Sequence, residues 1–466
     1  MGFRCSDVLS LLVVVVLVLP DAASAFAPID AKPSSSFSFQ QQQNLQHHRS
    51  HNNHIQYQQS SSKLFLSPDI LTSSSTEMIS FLESVNLSID RDQAEALAGP
   101  FFGASLFPYL AFLFFLSREE NECPKGVTVG FASCLSFVFL TIPAAIAAQV
   151  FYGVSLADSD WLHGSAESLL TITNLITVIA FRQALNAKEK DALPPVTATS
   201  WRPMTLLLVA LTAVAGATAA VPYLAGAEVH TPYLNGFMDL SSAAFSPESF
   251  GAHVEPDNAL TVATWIIHIS SLVEFLVAMG FAWRWADVVQ NPTWKGLTWG
   301  LLPLHSSGIT ACTYHLFYNQ IPILVPLQAL LTCLGNTTAA IASYRIARSN
   351  GWKPEVDERL TSVADSLTGS TNDSSNGQKS QEESESLVGF EDLGAALADD
   401  NDYSFLLKLF AGCAVSSYMI KYGELFFDFP FDASVYLAFG VIGVPSALNA
   451  FKWYKRSQDP TFEGWF

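Results

Sequence analysis

The chain has 466 residues, 50% of them hydrophobic and only 14% charged, with a formal charge of -19. A soluble protein of this size carries about 25% charged residues, so an ordinary soluble domain is excluded. The acidic balance, a pI near 4.8 and the lack of a basic patch exclude a nucleic-acid binder.

The N-terminus reads as an address. Arg4 precedes an apolar core, Leu9–Leu19, and small residues follow up to Ala25. The core is too short to span a bilayer, so residues 1–25 are expected to be a signal peptide. The stretch from Phe26 to about Ser67 is Ser-, Gln- and His-rich, with Asp30 its only acidic residue. With Phe26 after Ala23-Ser24-Ala25, it resembles the bipartite plastid presequence of diatoms and related algae, and implies a plastid transit peptide over 26–67. His47, His48, His51 and His54 belong to that segment rather than to a metal tract.

After a soluble segment, 68–99, the chain reads as nine apolar spans, each long enough for a hydrocarbon core about 30 Å thick. They are expected at Pro100–Leu116, Val127–Tyr152, Trp161–Phe181, Pro203–Leu224, Asn258–Trp283, Gly296–Tyr318, Ile321–Ile346, Phe405–Phe426 and Ala433–Phe451. Lys and Arg fall in every second loop: Arg118 and Lys125, then Arg182 to Arg202, Arg284 and Lys295, Arg345 to Lys353, and Lys452 to Arg456. The loops between them, Val154–Asp160 and Ala225–Asp257, carry neither. This bias sets the orientation and puts the C-terminus on the positive side. The fold class is therefore all-α, a polytopic membrane bundle of about nine transmembrane helices. A Ser-, Glu- and Asp-rich stretch, 349–402, is expected to be a disordered linker, followed by a two-helix module, 403–466. A bridging span and an acidic loop occupy 186–257.

Ionisable residues within spans are costly, about 2.5–3.5 kcal/mol each on insertion scales, so they are the candidates for function. In the third span His163, Glu167, Thr171 and Asn174 share one helical face. That stripe suits either a hydrogen-bonded seam or a metal, haem or pigment ligand with its supporting shell. The fifth span holds His268, Ser270, Ser271 and Glu274. The sixth holds His305 and His315, about 15 Å apart along the axis at 1.5 Å per residue, too far to share an ion. Asp160-Trp161-Leu162-His163 and Thr264-Trp265-Ile266-Ile267-His268 look alike, which raises an internal repeat. Threading the topology through the spans predicts one polar cavity near the lumenal side, gathering His163, Glu167, His268 and His315 with Lys421, Glu424 and Asp428, and with Glu274 and His305 deeper. The tryptophans Trp283, Trp285, Trp294 and Trp299 read as an interfacial belt. Asn336-Thr337-Thr338 matches a glycosylation sequon but lies in a span. The six cysteines, Cys5, Cys123, Cys134, Cys312, Cys333 and Cys413, form no CxxC pair and read as small apolar side chains. No P-loop, GxGxxG, HExxH or GxSxG is present.

Two stretches resemble known families. Trp265–Arg348, with Asn291-Pro292-Thr293-Trp294-Lys295-Gly296, Leu302-Pro303-Leu304-His305 and Cys312-Thr313-Tyr314-His315, resembles the hypothetical chloroplast reading frame 49 family, domain of unknown function 2499. Pro100–Leu185, with Pro100-Phe101-Phe102-Gly103 and Asp160-Trp161-Leu162-His163-Gly164-Ser165-Ala166-Glu167, is similar to domain of unknown function 3593. Both belong to oxygenic phototrophs, and the resemblance implies a plastid membrane protein without supplying a catalytic residue. The expectation is a non-enzymatic protein of a plastid membrane, the thylakoid first, with a stromal C-terminus. It is expected to contact membrane lipids, to support photosynthetic complexes or their pigments, and to bind haem or chlorophyll through His163, His268 or His315. A solute or proton carrier using Glu167, Glu274 and Glu424, and a His/Glu enzyme acting on a lipid or quinone, are the alternatives.

Overall fold

The computed structural model describes residues 89–189, 202–239, 255–353, 402–426 and 433–458. The expected signal and transit peptides, most of the 349–402 linker and Asp428 lie outside the described residues, and so does the side chain of Glu424.

Nine long helices are present among the described residues: α1 (Arg91–Leu116), α2 (Lys125–Ala147), α3 (Asp160–Glu189), α4 (Arg202–Leu224), α5 (Val262–Val288), α6 (Lys295–Leu316), α7 (Leu324–Ser349), α8 (Asp402–Phe426) and α9 (Val435–Gln458). Seven are long and apolar enough to cross a membrane. Helix α4 adds a shorter apolar stretch, Ala213–Leu224. Helix α6 carries two His and several Ser and Thr, which lower its hydropathy. It is shielded by α5, α7 and α9, which pack on it.

Helix α1 starts at Arg91 rather than at Pro100. Asp90 caps it, accepting from Gln93 N at 2.8 Å while Gln93 Oε1 accepts from Asp90 N at 3.2 Å. This reciprocal box satisfies two orphan donors and sets the start. Pro100 and Pro108 are accommodated inside the helix.

The bundle is built around α5, whose apolar window is 61% buried. Helices α3, α6 and α8 pack on it, α2 and α4 lie against α3, and α1 and α6 lie against α7. Close approach is set by glycine. A Cβ on Gly335 of α7 would lie 2.6 Å from Leu304 N, and one on Gly300 of α6 would lie 2.8 Å from Thr338 O. Thr338 Oγ1 donates to Gly300 O at 2.6 Å across the same contact. Small residues at a membrane helix crossing bring backbones together, and packing follows.

One sequence reading changes. Trp283, Trp285 and Trp294 do not form an interfacial belt: they are 2%, 6% and 0% exposed and sit in the main core. Helix α9 covers Trp283, whose ring lies 5.0 Å from that of Trp453. Asn336 of the sequon is interior too, donating from Nδ2 to Ser105 O of α1 at 3.1 Å.

The helices run alternately up and down, so the cations segregate. Asp158, Asp160, Asp239 and Glu255 lie at the end where α3 and α5 start. The Lys and Arg residues of the other loops lie at the opposite end. Arg91 and Lys421 are exceptions, and both are held by carboxylates.

Candidate metal centre

The acidic end is fastened by side chains. Asp158, 5% exposed, accepts from four donors: Arg91 Nη1 at 2.6 Å, Ser155 Oγ at 3.1 Å, Asn258 Nδ2 at 3.2 Å and Asn319 Nδ2 at 2.9 Å. It thereby ties the start of α1 to the loops that precede α3 and α5 and to the turn after α6. That turn reverses sharply, with Tyr318 and Asn319 both left-handed (φ 50° and 61°). Asn tolerates this region better than most residues, and here it turns the amide back toward Asp158. Asp160 accepts from Tyr233 N at 2.6 Å and Thr261 N at 3.1 Å, and Asp239 accepts from Val262 N at 3.1 Å. Two carboxylates thus cap the N-terminus of α5, where free N–H groups and the helix dipole favour negative charge. Burial pushes the Asp239 carboxyl above its usual range, and the bond from Val262 N and the charge of Lys421 draw it partway back.

Three histidines converge inside this frame. His163 sits one turn into α3, His268 in the second turn of α5 and His315 in the last turn of α6. Each is 6% exposed. Their ring centroids are 4.8 to 5.0 Å apart, and His163 Nε2 lies 2.9 Å from His268 Nε2. One ring nitrogen from each lies within 4.8 Å of the others. Metal–nitrogen bonds of about 2.0–2.1 Å put tetrahedral ligand atoms roughly 3.3–3.4 Å apart, so small side-chain adjustments close this triangle around an ion. The approach of α3 and α5 depends on Gly164, where a Cβ would meet Thr264 Oγ1 at 2.8 Å and Tyr233 Cγ at 2.9 Å.

The triangle has polar atoms to spare. Nδ1 of His163 and of His315 is buried without a hydrogen-bond partner, and so is Oδ1 of Asn319. Four residues separate Asn319 from His315. Metal-bound imidazoles usually anchor the second ring nitrogen on such a group.

The other candidates lie elsewhere. Glu167 is half-buried one turn further along α3 and does not join the cluster. Glu274, 3% exposed and with Oε2 unpaired, lies two turns deeper on α5. His305 is directed at Asn449 of α9, whose Nδ2 is 3.4 Å from His305 Nδ1. Lys421 is engaged by Glu255, at 2.9 Å to each oxygen, and by Leu260 O at 2.8 Å. Below the histidines the α3 stripe is a seam: Thr171 Oγ1 donates to Ile267 O at 2.8 Å and Asn174 Nδ2 to Ser271 O at 3.4 Å. The sequence reading missed Asp158, Asp160, Asn319 and Arg91. Its one signal was a pair of acids in a loop without cations.

Comparison with known proteins divides the site between two regions. Residues 98–186 match a family described as a protein of unknown function, DUF3593, and residues 259–345 match a second, DUF2499. His163 falls in the first region, His268 and His315 in the second. A Ycf49-like protein of Synechocystis sp. is 41% identical over 95 residues, 20% of this chain and 91% of that protein. The uncharacterized protein ycf49 of Cyanophora paradoxa is 32% identical over 83 residues, 17% of this chain and 81% of its own length. No solved structure matches the chain.

Proposed function

The chain belongs to the Ycf49-like family, and from the three imidazoles shared between its two matched regions we propose a multi-pass membrane protein that holds a transition-metal ion. The convergence of His163, His268 and His315, each buried, is the observation that carries this reading. Imidazole suits zinc, copper, iron and nickel. Among these, singly charged copper fits best. The cluster contains no carboxylate, and the cost of burying an ion rises with the square of its charge. Three protein ligands also leave a coordination position for an exchangeable partner.

Rings whose centroids are 4.8 to 5.0 Å apart leave room for an ion and none for a macrocycle between them. The ion therefore replaces haem or chlorophyll at this position. The cyanobacterial and plastid character of the relatives supports a plastid membrane, with the thylakoid first, and a role in supporting photosynthetic complexes through the metal. The segregation of cations supports a stromal C-terminus and a lumen-facing metal centre. A carrier remains the second reading, favoured by Glu274 with its unpaired oxygen.

Elemental analysis of the detergent-purified protein tests the proposal. About one copper ion per chain is expected, retained on desalting and lost in His268→Ala. Zinc at the same stoichiometry overturns the assignment to copper. No metal after reconstitution with either ion overturns the centre itself. Metal-loaded vesicles in which Glu274→Gln abolishes ion flux would favour the carrier.

A further inference from the structure

A second site lies deeper in the bundle. An open cleft of about 670 Å³ is lined by α5, α6, α8 and α9, within the range of sites that take drug-sized ligands. Trp265, Ile309 and Leu316 supply apolar walls, and Met419 and Pro445 stand at its rim. Met419 is 71% exposed, so the rim reaches the surface that faces acyl chains. The slot exists because α8 packs on α5 while α9 packs on α6.

Two ionisable side chains enter this lining, the Cys312 thiol and His305, 8% exposed, and of these the imidazole is the stronger hydrogen-bond donor. Its chemistry is set by α9. The Asn449 amide nitrogen has only protons to offer, so at 3.4 Å it donates to His305 Nδ1. With Asn449 Nδ2 as the donor, the imidazole proton resides on Nε2, and an N–H donor is then available to the cavity. A donor at the end of an apolar slot selects a lipophilic molecule with an acceptor at its head. Among the described residues no Lys or Arg lines the cavity, so none of them neutralises a phosphate or carboxylate there.

We propose that the His305 cavity binds a prenylated quinone, with a ring carbonyl accepting from His305 Nε2–H and the tail running out between α8 and α9. The His305 end of the cavity is remote from the metal centre, while its other end reaches Trp265, Thr313 and Leu316 beside His268 and His315. His305 and His315 are ten residues apart on α6, about 15 Å along the axis.

Titration of the detergent-purified full chain with decylplastoquinone, read by tryptophan quenching, tests it. Gly423 lines the cavity and a Cβ there meets nothing within 4 Å, so Gly423→Leu fills the slot without a clash at its first carbon. Saturable binding is expected in the wild type and none in Gly423→Leu. Loss of one hydrogen bond in His305→Leu should weaken affinity roughly tenfold. Metal content and melting temperature of Gly423→Leu should match the wild type, so failure of the metal reading and of this one are distinguishable. Equal affinity in wild type and Gly423→Leu overturns the site. Binding of a decyl hydrocarbon without carbonyls as tightly as the quinone overturns the role of His305. A tetrapyrrole absorption band removed by Gly423→Leu overturns the quinone in favour of a pigment.

Discussion

Asn319 Nδ2 donates to Asp158 Oδ1 at 2.9 Å, joining the turn after α6 to the loop before α3 across 161 residues of chain. The same Asp158 receives Arg91 and Asn258. Loops that lead into or out of all three histidine-bearing helices therefore hang on one carboxylate. Asp158→Ala should leave the Asn319 and Asn258 amides without their acceptor and loosen the metal centre. The expected cost is about 2–3 kcal/mol, in line with lost bonds to a charged group; Arg91, 41% exposed at its side chain, adds little through charge alone. Thermal melting in detergent measures the first effect, and copper retained after dialysis measures the second.

Removing a ligand should act differently from removing a fastener. His163→Ala should lower metal affinity by more than the roughly 10–100-fold seen for supporting-shell losses, with little change in melting of the metal-free protein. His305→Ala, on the same helix as His315 but outside the triangle, should leave metal affinity unchanged. Competition with a chelator of known affinity checks both. Equal losses in the two variants would contradict the assignment of ligands.

Gly335→Val probes the α6–α7 contact. Its Cβ would lie 2.6 Å from Leu304 N and 3.1 Å from Leu304 Cα, and backbone cannot swing aside as a side-chain tip can. Overpacking of this kind costs about 1–3 kcal/mol and sometimes more. Displacing α6 should also move His315, so metal stoichiometry should fall along with the melting temperature. Gly412→Ala, in open surroundings on α8, should do neither.

Lys421→Met tests how α8 is held. The ammonium, 7% exposed at its side chain, serves both Glu255 oxygens and Leu260 O. Burial raises the Glu255 carboxyl above its usual range while Lys421 lowers it, so without the lysine Glu255 should hold its proton to higher pH. Breaking such a pair costs about 3–5 kcal/mol when fully buried, and less here, because Glu255 is 24% exposed. Helix α8 should detach more readily from α5. Maleimide labelling of Cys413, 2% exposed in the native protein, followed by mass spectrometry should accelerate.

The single-helix features were legible in advance. Hydropathy gave every long helix, because a crossing segment must satisfy its own backbone and shed polar side chains. The stripe from His163 to Asn174 was visible from spacing alone. In the structure its first residue joins a cluster of three histidines, and Thr171 and Asn174 hydrogen-bond to α5. The tryptophans were misplaced because an interfacial belt and a covered core have the same composition. Only the packing of neighbouring helices separates them, as the Trp453 ring of α9 does for Trp283.

Hydrophobic runs, loop charge and helical period by themselves determined a membrane helix bundle, with nine long helices among the described residues and the cations gathered mostly at one end, and they picked out His163, His268, His305 and His315 as costly residues in need of partners. Those properties are local, set within one helix and its flanking loops. Which imidazoles meet was decided only by the tertiary structure. It depends on how each helix is rotated and which neighbour it touches, and that is set by long-range contacts: the close approaches at Gly164, Gly300 and Gly335, and the carboxylates of Asp158 and Asp160. Through them three histidines converge on one point, while the fourth, ten residues away on α6, faces a different cavity.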